Sequence, residues 1–110
     1  MQTSTTFDIA GMRITQNLGV VRGIVVRSPT IGQGLMGGLK SFVGGNIEAY
    51  ADMCEQARAH AFQRLVEHAQ SMGANAIVGI RYESSDIGGA QSAATEVLCY
   101  GTAVVVEPAQ

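Results

Sequence analysis

The spacing of apolar positions between residues 47 and 72 predicts one long amphipathic helix. Its polar face includes Glu48, Asp52 and Glu67. Asn46 can cap the first turn, and Gly73 can close the last turn in a left-handed conformation. At a rise of about 1.5 Å per residue the helix is about 40 Å long, so we expect it to lie across a sheet and reach past it. The buried stripe, which recurs at steps of three or four residues, is predicted to be Ile47, Tyr50, Cys54, Ala57, Ala61, Leu65, Ala69 and Met72.

The chain before the helix is dense in β-branched residues and predicts two extended segments. These are Arg13–Asn17 and Gly19–Arg27, and Ser28-Pro29 ends the second because proline cannot donate to a strand ladder. Residues 30–46 then carry six glycines, with Lys40 as the only charged residue. Within this segment, Leu35–Val43 fits either a short apolar helix or a packed loop.

After Gly73 the pattern changes to a period of two, which predicts a strand over Ala76–Glu83. Ala76, Val78, Ile80 and Tyr82 are expected on one face, and Gly79 predicts a bulge or a close backbone approach. A loop of small residues over Ser84–Thr95 then leads to a last strand over Glu96–Val106, which favours an antiparallel hairpin. The expected fold is α+β in a single domain, residues 1–110: β-strands, one long helix, then an antiparallel strand pair.

Composition limits the classes of function. The 110 residues suit one domain, and a hydrophobic content of 46% with 5% aromatics and no Trp predicts an aliphatic core. A net charge of −2 with scattered arginines argues against nucleic-acid or anionic-membrane binding, and no run of about twenty apolar residues could span a membrane. The first residues lack the basic and apolar regions of a signal peptide, so we expect a cytoplasmic protein with reduced cysteines.

One glycine motif resembles a dinucleotide-binding loop. The residues 32–37, Gly-Gln-Gly-Leu-Met-Gly, fit the pattern Gly-x-Gly-x-x-Gly. Pro29 interrupts the required strand-to-turn step, and no second parallel βα unit follows. The pattern therefore favours a glycine loop without a bound nucleotide.

Four side chains are the weak candidates for a metal site: Cys54, His60, His68 and Cys99. Their helical spacings of six, eight and fourteen do not match the short spacings of zinc ligands. In a cyclic assembly, however, one residue from each subunit would form a ring around the axis. The alternative is that Cys54 and Cys99 are small core residues and His60 is a solvated helix residue.

No catalytic residues can be named. Both histidines lie on the helix, and Cys99 sits in an apolar strand where burial would blunt its reactivity. We therefore expect a protein that is not an enzyme.

Several short segments together resemble the YbjQ-like family of small bacterial and archaeal proteins: Val21-Arg22-Gly23, Gly44-Gly45, Ala49-Tyr50, Ala57-Arg58 and the run 73–80, Gly-Ala-Asn-Ala-Ile-Val-Gly-Ile. That family carries the label "putative heavy-metal-binding" and has no established activity. The resemblance implies a dodecin-subunit-like arrangement, a ring-forming homopentamer and a divalent metal ion as candidate ligand. Family members often have an Arg-Asp pair before the double glycine and an Arg after it. Here Gly34–Lys40 lacks that pair and Asn46 replaces that Arg, so a role of those charges is not expected.

Two functions from different classes follow from these observations. One is a homo-oligomer that binds a ligand, a metal ion for instance, at the assembly axis or between subunits. The other is a carrier of a small flat cofactor in an apolar pocket between subunits. The apolar arc from Ile47 to Met72, widened by Phe62 and Val66, exceeds what one small sheet can cover, which itself predicts an obligate homo-oligomer. Stoichiometric metal in the purified protein would favour the first function, and colour or fluorescence the second.

Overall fold

The computed structural model describes residues 1–27, 47–87 and 94–110, and within them the fold is α+β. One helix packs on a mixed four-stranded sheet. The chain order is β1 (Gln2–Thr3), β2 (Met12–Arg27), α1 (Ile47–Ser71), β3 (Ala76–Ile87) and β4 (Ala94–Pro108). No helix in these ranges is long and apolar enough to cross a membrane. Asn46 and the glycine motif at 32–37 lie outside the described residues.

The strands lie in the order β1-β3-β4-β2, so β4 is central and antiparallel to both of its neighbours. The hairpin of the last two strands is confirmed. The two segments predicted before the helix form one strand, since the pairing with β4 continues through two irregularities, at Ile14/Gln16 and at Asn17/Gly19. Gly19 has a φ of 115°, which lets the strand bend and still keep its partner.

The prediction of a loop from Ser84 was wrong, because β3 continues to Ile87. Ser84 pairs with Val97 and Asp86 with Thr95, so hydrogen bonding to the central strand overrides the weak strand preference of small polar residues. Strand β4 likewise begins two residues before the predicted Glu96. The short β1 was not predicted; it runs parallel to β3, with Gln2 opposite Ala76.

Gly79 forms the predicted bulge, and that bulge reverses the faces of β3. Its φ is 65°, and the register to β4 shifts between Val78 and Arg81. Ala76 and Val78 therefore pack on one side of the sheet, whereas Ile80 joins Ile77 on the helix side. The uninterrupted alternation predicted from Ala76 to Tyr82 was wrong for this reason.

The buried stripe of α1 is confirmed at its centre: Ala57, Ala61, Leu65 and Ala69. The ends of the predicted stripe are more exposed, with Ile47 at 79% and Met72 at 37%. The helix ends as predicted at Gly73, whose φ is 86°. The Gly73 amide donates to the Gln70 carbonyl at 3.0 Å and the Ala74 amide to the Ala69 carbonyl at 3.1 Å, the pattern of a Schellman cap.

Candidate functional site

The two histidines of α1 are both engaged through Nδ1. The backbone amide of Arg22 donates to His68 Nδ1 at 3.2 Å. Arg27 Nη2 lies 3.1 Å from His60 Nδ1, and a guanidinium can only donate, so Nδ1 is the acceptor. His60 is thus half-buried against Arg27, which corrects the expectation of a solvated side chain.

This bonding bears directly on metal binding. A neutral imidazole has one acceptor nitrogen, and in both histidines that acceptor is occupied. If a metal were bound through Nε2, the ring proton would have to be on Nδ1. A protonated Nδ1 cannot accept a hydrogen bond, so the bond from Arg22 to His68 or from Arg27 to His60 would be lost. Either histidine could bind a metal only by giving up a contact that joins the helix to β2.

The two cysteines are free thiols in different surroundings. Cys99 is fully buried on β4 beside Tyr82, and burial raises the pKa of its thiol although the Tyr82 hydrogen bond opposes this. It is a core residue, as predicted. Cys54 is half-buried and lines a cavity, so the expectation that it is a core residue holds only in part.

The structure does not bring the four candidate metal ligands together. Within residues 1–27, 47–87 and 94–110, no three His, Cys, Asp or Glu side chains are grouped so that they could hold an ion. Cys54 lies on the wall of a cavity, Cys99 lies in the core, and the histidines contact the backbone and side chain of β2.

A cavity of about 180 Å³ lies between the first half of α1 and the ends of the strands. The helix contributes Tyr50, Cys54 and Arg58 to its wall, and the strands contribute Arg27, Asp86 and Val97. We call this space the Arg27 cavity.

Arg58 is fixed at the wall of the Arg27 cavity by two contacts. Its Nη2 donates to Ser84 Oγ at 3.3 Å, and its Cζ lies 5.5 Å from the centroid of the Tyr82 ring, within the range of a cation–π contact. Along the sequence the arginines are scattered. Only the tertiary fold shows that Arg27, at the end of β2, and Arg58, on α1, line one cavity.

The sheet surface turned away from α1 is the second notable feature. Val21 and Val25 of β2 face the helix, so the alternate residues point to the opposite side. There Val20 is 68% exposed, Ile24 39% and Val26 51%. We call these three residues the open face; Ile24 pairs with Leu98 of β4, which is itself only partly buried.

A polar row adjoins the open face. Arg22, Tyr100 and Arg81 lie opposite one another on three strands. Tyr100 Oη donates to Glu83 Oε2 at 3.1 Å, and this bond to a carboxylate raises the pKa of Tyr100. The surface therefore combines exposed aliphatic side chains with charged ones, as protein interfaces do.

Comparison with known proteins identifies similar chains throughout their lengths. A family model described as "Putative heavy-metal-binding", YbjQ_1, matches residues 1–107. A UPF0145 protein of Legionella pneumophila is 62% identical over 104 residues, covering 94% of each chain. A UPF0145 protein of Francisella philomiragia is 54% identical over 103 residues, covering 93% of this chain and 96% of its own.

One solved structure shares the fold. It is a protein of unknown function of the DUF74 family from Pediococcus pentosaceus, with a TM-score of 0.67 at 20% identity. The match covers 97% of this chain and 98% of that one. At this identity the likeness concerns the fold alone.

Proposed function

This chain belongs to the YbjQ-like family of UPF0145 proteins, and we propose that it is a homo-oligomeric ligand-binding protein, built as a ring of five copies. The observation that carries this proposal is the open face. Three aliphatic side chains on one face of β2 are exposed by 39% to 68%, as expected of residues that a subunit interface buries. The number five rests on the family resemblance.

The sheet edges favour a second copy as the partner. Within the described residues β2 has one neighbouring strand, β4, so the outer edge of this 16-residue strand is open except where the Arg22 amide bonds to His68 and the Ile24 carbonyl to Arg64. At the opposite edge of the sheet, β1 pairs with Ala76 and Ile77 of β3. The backbone of residues 4 and 6 continues this contact along β3 as far as Ile80. No other described strand pairs with the outer edge of β3 beyond Ile80, so this edge is also open among the described residues.

Two different open edges suit a head-to-tail contact. If the β2 edge of one copy meets the β3 edge of the next, the same contact repeats around an axis and closes a ring. A two-fold dimer would instead join identical surfaces. The edges thus support a cyclic assembly, as the resemblance implies.

The experiment is the molar mass in solution by light scattering, with Ile24→Glu as the test variant. A charge on the open face should dissociate the assembly, because a buried carboxylate without a partner is strongly unfavourable at an interface. Gln56→Glu adds the same group on an exposed turn of α1 and should keep the wild-type mass. Equal masses for both variants would contradict the assignment of this surface.

A metal ion is a second candidate ligand, and the family description favours it. In a ring, one Cys54 or His68 from each subunit could share an ion at or near the axis. Because Nδ1 of both histidines is already an acceptor, Cys54 is the more available of these ligands. We therefore expect fewer metal ions than subunits and no tight site in a single chain.

Titration with zinc and with copper under native conditions tests this expectation. Cys54→Ser should weaken binding, and His68→Ala should change it little. One tightly held ion per subunit, lost in either variant, would overturn the expectation and assign a ligand set within the subunit.

Binding rather than catalysis is the proposed role, since Cys99 is buried with a raised pKa and both histidines use their acceptor nitrogen in contacts with β2. The cytoplasmic location stays a prediction from the sequence.

A further inference from the structure

Among the described residues, Arg27 is a cation without a carboxylate partner. Within the described residues the salt bridge is Arg13–Glu107, and Arg27 takes part in none. Its Nη2 bonds to His60, but its Nε is shielded from water and has no hydrogen-bond partner in the part of the chain that the structure describes. A charged donor left in this state is costly, because desolvation is not compensated.

The cost would be relieved by an acceptor that enters the Arg27 cavity. A carboxylate matches the planar fork of a guanidinium and can accept from Nε and from an Nη at the same time. A small rotation of the Arg27 side chain would present these donors to the cavity, while the strand that carries it stays in place.

The charges around the cavity favour an anion. Arg27 and Arg58 both line it, against a single carboxylate, Asp86. Arg58 is engaged by Ser84 and the Tyr82 ring, neither of which neutralises its charge. The wall therefore carries an excess positive charge in a partly desolvated space, where electrostatic attraction is stronger than in water.

The volume of the Arg27 cavity limits the size of the ligand, and its apolar lining indicates the chemistry of the ligand body. The cavity measures about 180 Å³, and a buried cavity of about 150 Å³ is known to hold benzene. This is below the range of about 300–1,000 Å³ found for drug-sized ligands, so nucleotides are too large. Met53, Ala57 and Val97 offer apolar contact for a small body attached to the anionic group.

We propose that the Arg27 cavity is a binding site for a small organic carboxylate, with the anionic group on Arg27 and a short apolar or aromatic body against Met53 and Val97. The site lies within one subunit and does not depend on ring formation or on a metal. It therefore goes beyond the proposed function and can be tested separately from it.

The test is calorimetric titration of the wild-type protein with sodium benzoate, with benzamide as the neutral isostere. Benzoate should bind, and benzamide should bind at least about tenfold more weakly because it lacks the charge. Arg27→Gln should weaken benzoate binding by about tenfold or more, and Arg58→Gln by a smaller factor. Arg64→Gln, which removes an arginine of α1 outside the cavity wall, should leave binding unchanged.

A second measurement tests whether the ligand occupies the Arg27 cavity and needs no variant. Cys54 lines the cavity and Cys99 is fully buried, so iodoacetamide should modify Cys54 first in the native protein. Benzoate should slow that reaction, and benzamide at the same concentration should not. The proposal is overturned if benzoate fails to bind at millimolar concentration, if Arg27→Gln binds it as well as Arg64→Gln does, or if Cys54 is not protected.

Discussion

At the scale of single residues, Cys99 shows how the core determines chemistry. Its side chain is fully buried on the central strand, opposite Tyr82 of β3. Burial raises the pKa of the Cys99 thiol, and burial is also the main cause that raises the pKa of Tyr82. Both groups are therefore kept neutral in the folded protein at pH values where the unfolded chain would ionise.

This pKa shift predicts a loss of stability at alkaline pH. When the pKa of an acid is higher in the folded state, the unfolded state releases its proton first, so the free energy of unfolding falls as pH rises. For Cys99 the fall should begin near the ordinary thiol value of 9.0 and end at its folded-state pKa. Urea unfolding between pH 7 and pH 10.5 should show it.

Cys99→Ala is the test variant, and Val97→Ala, at a buried position of the same strand, is the control. The first is less stable at every pH because it leaves a small cavity, but its slope between pH 9 and 10 should be flatter than that of the wild type. Val97→Ala removes no ionisable group and should keep the wild-type slope. Parallel slopes in all three proteins would show that Cys99 ionises equally in both states.

At the scale of elements, the helix and β2 approach each other most closely at Gly23. A Cβ built there would lie 2.1 Å from the Ala61 carbonyl oxygen and 2.7 Å from the Leu65 amide nitrogen. These are backbone atoms and cannot rotate away. The helix can lie so close to the strand because alanines, at Ala57 and Ala61 among others, form its buried stripe.

Gly23→Ala should therefore lower the free energy of unfolding by about 2–3 kcal/mol, because the helix must move away from the sheet. Gln16→Ala, at an exposed position of the same strand, should change it by less than about 0.5 kcal/mol. Urea unfolding measures both. A Gly23→Ala protein as stable as Gln16→Ala would mean that the close approach of the helix to β2 does not contribute to stability.

The sequence predicted correctly those features that depend on residues close together in the chain. The helix bounds, its end at Gly73 and the bulge at Gly79 follow from spacing and from glycine conformation. The extension of β3 to Ile87 depends on pairing with β4, and β1 depends on two residues pairing with a distant strand. Neither leaves a periodic pattern, so these parts of the sheet could not be read from the sequence.

At the scale of the whole molecule, the features proposed for function arise from tertiary structure. Arg27 and Arg58 come from different elements and share a cavity only after α1 packs on β2. From the sequence, Cys54 was a candidate metal ligand, whereas the structure places it on the wall of the Arg27 cavity. The open face was likewise not predicted, since Val20, Ile24 and Val26 lie in a dense β-branched run that does not show which side is covered.

At the same scale, one face of the described sheet supports the proposal of more than one copy. One face of the sheet is covered by α1, and the other is partly covered by a second apolar cluster but exposes Val20, Ile24 and Val26 of β2. A second helix layer would cover such a face in a larger domain, but the described chain supplies only one helix. Under the proposed function, other copies of the chain bury this surface.

The most direct test of this account is the mass of the native assembly by native mass spectrometry, on protein freed of metal with a chelator. We predict a single species with five times the 11.5 kDa mass of the chain, formed without metal. A species of 11.5 kDa at micromolar concentration would contradict the account, because the open face would then be exposed to water in the working protein.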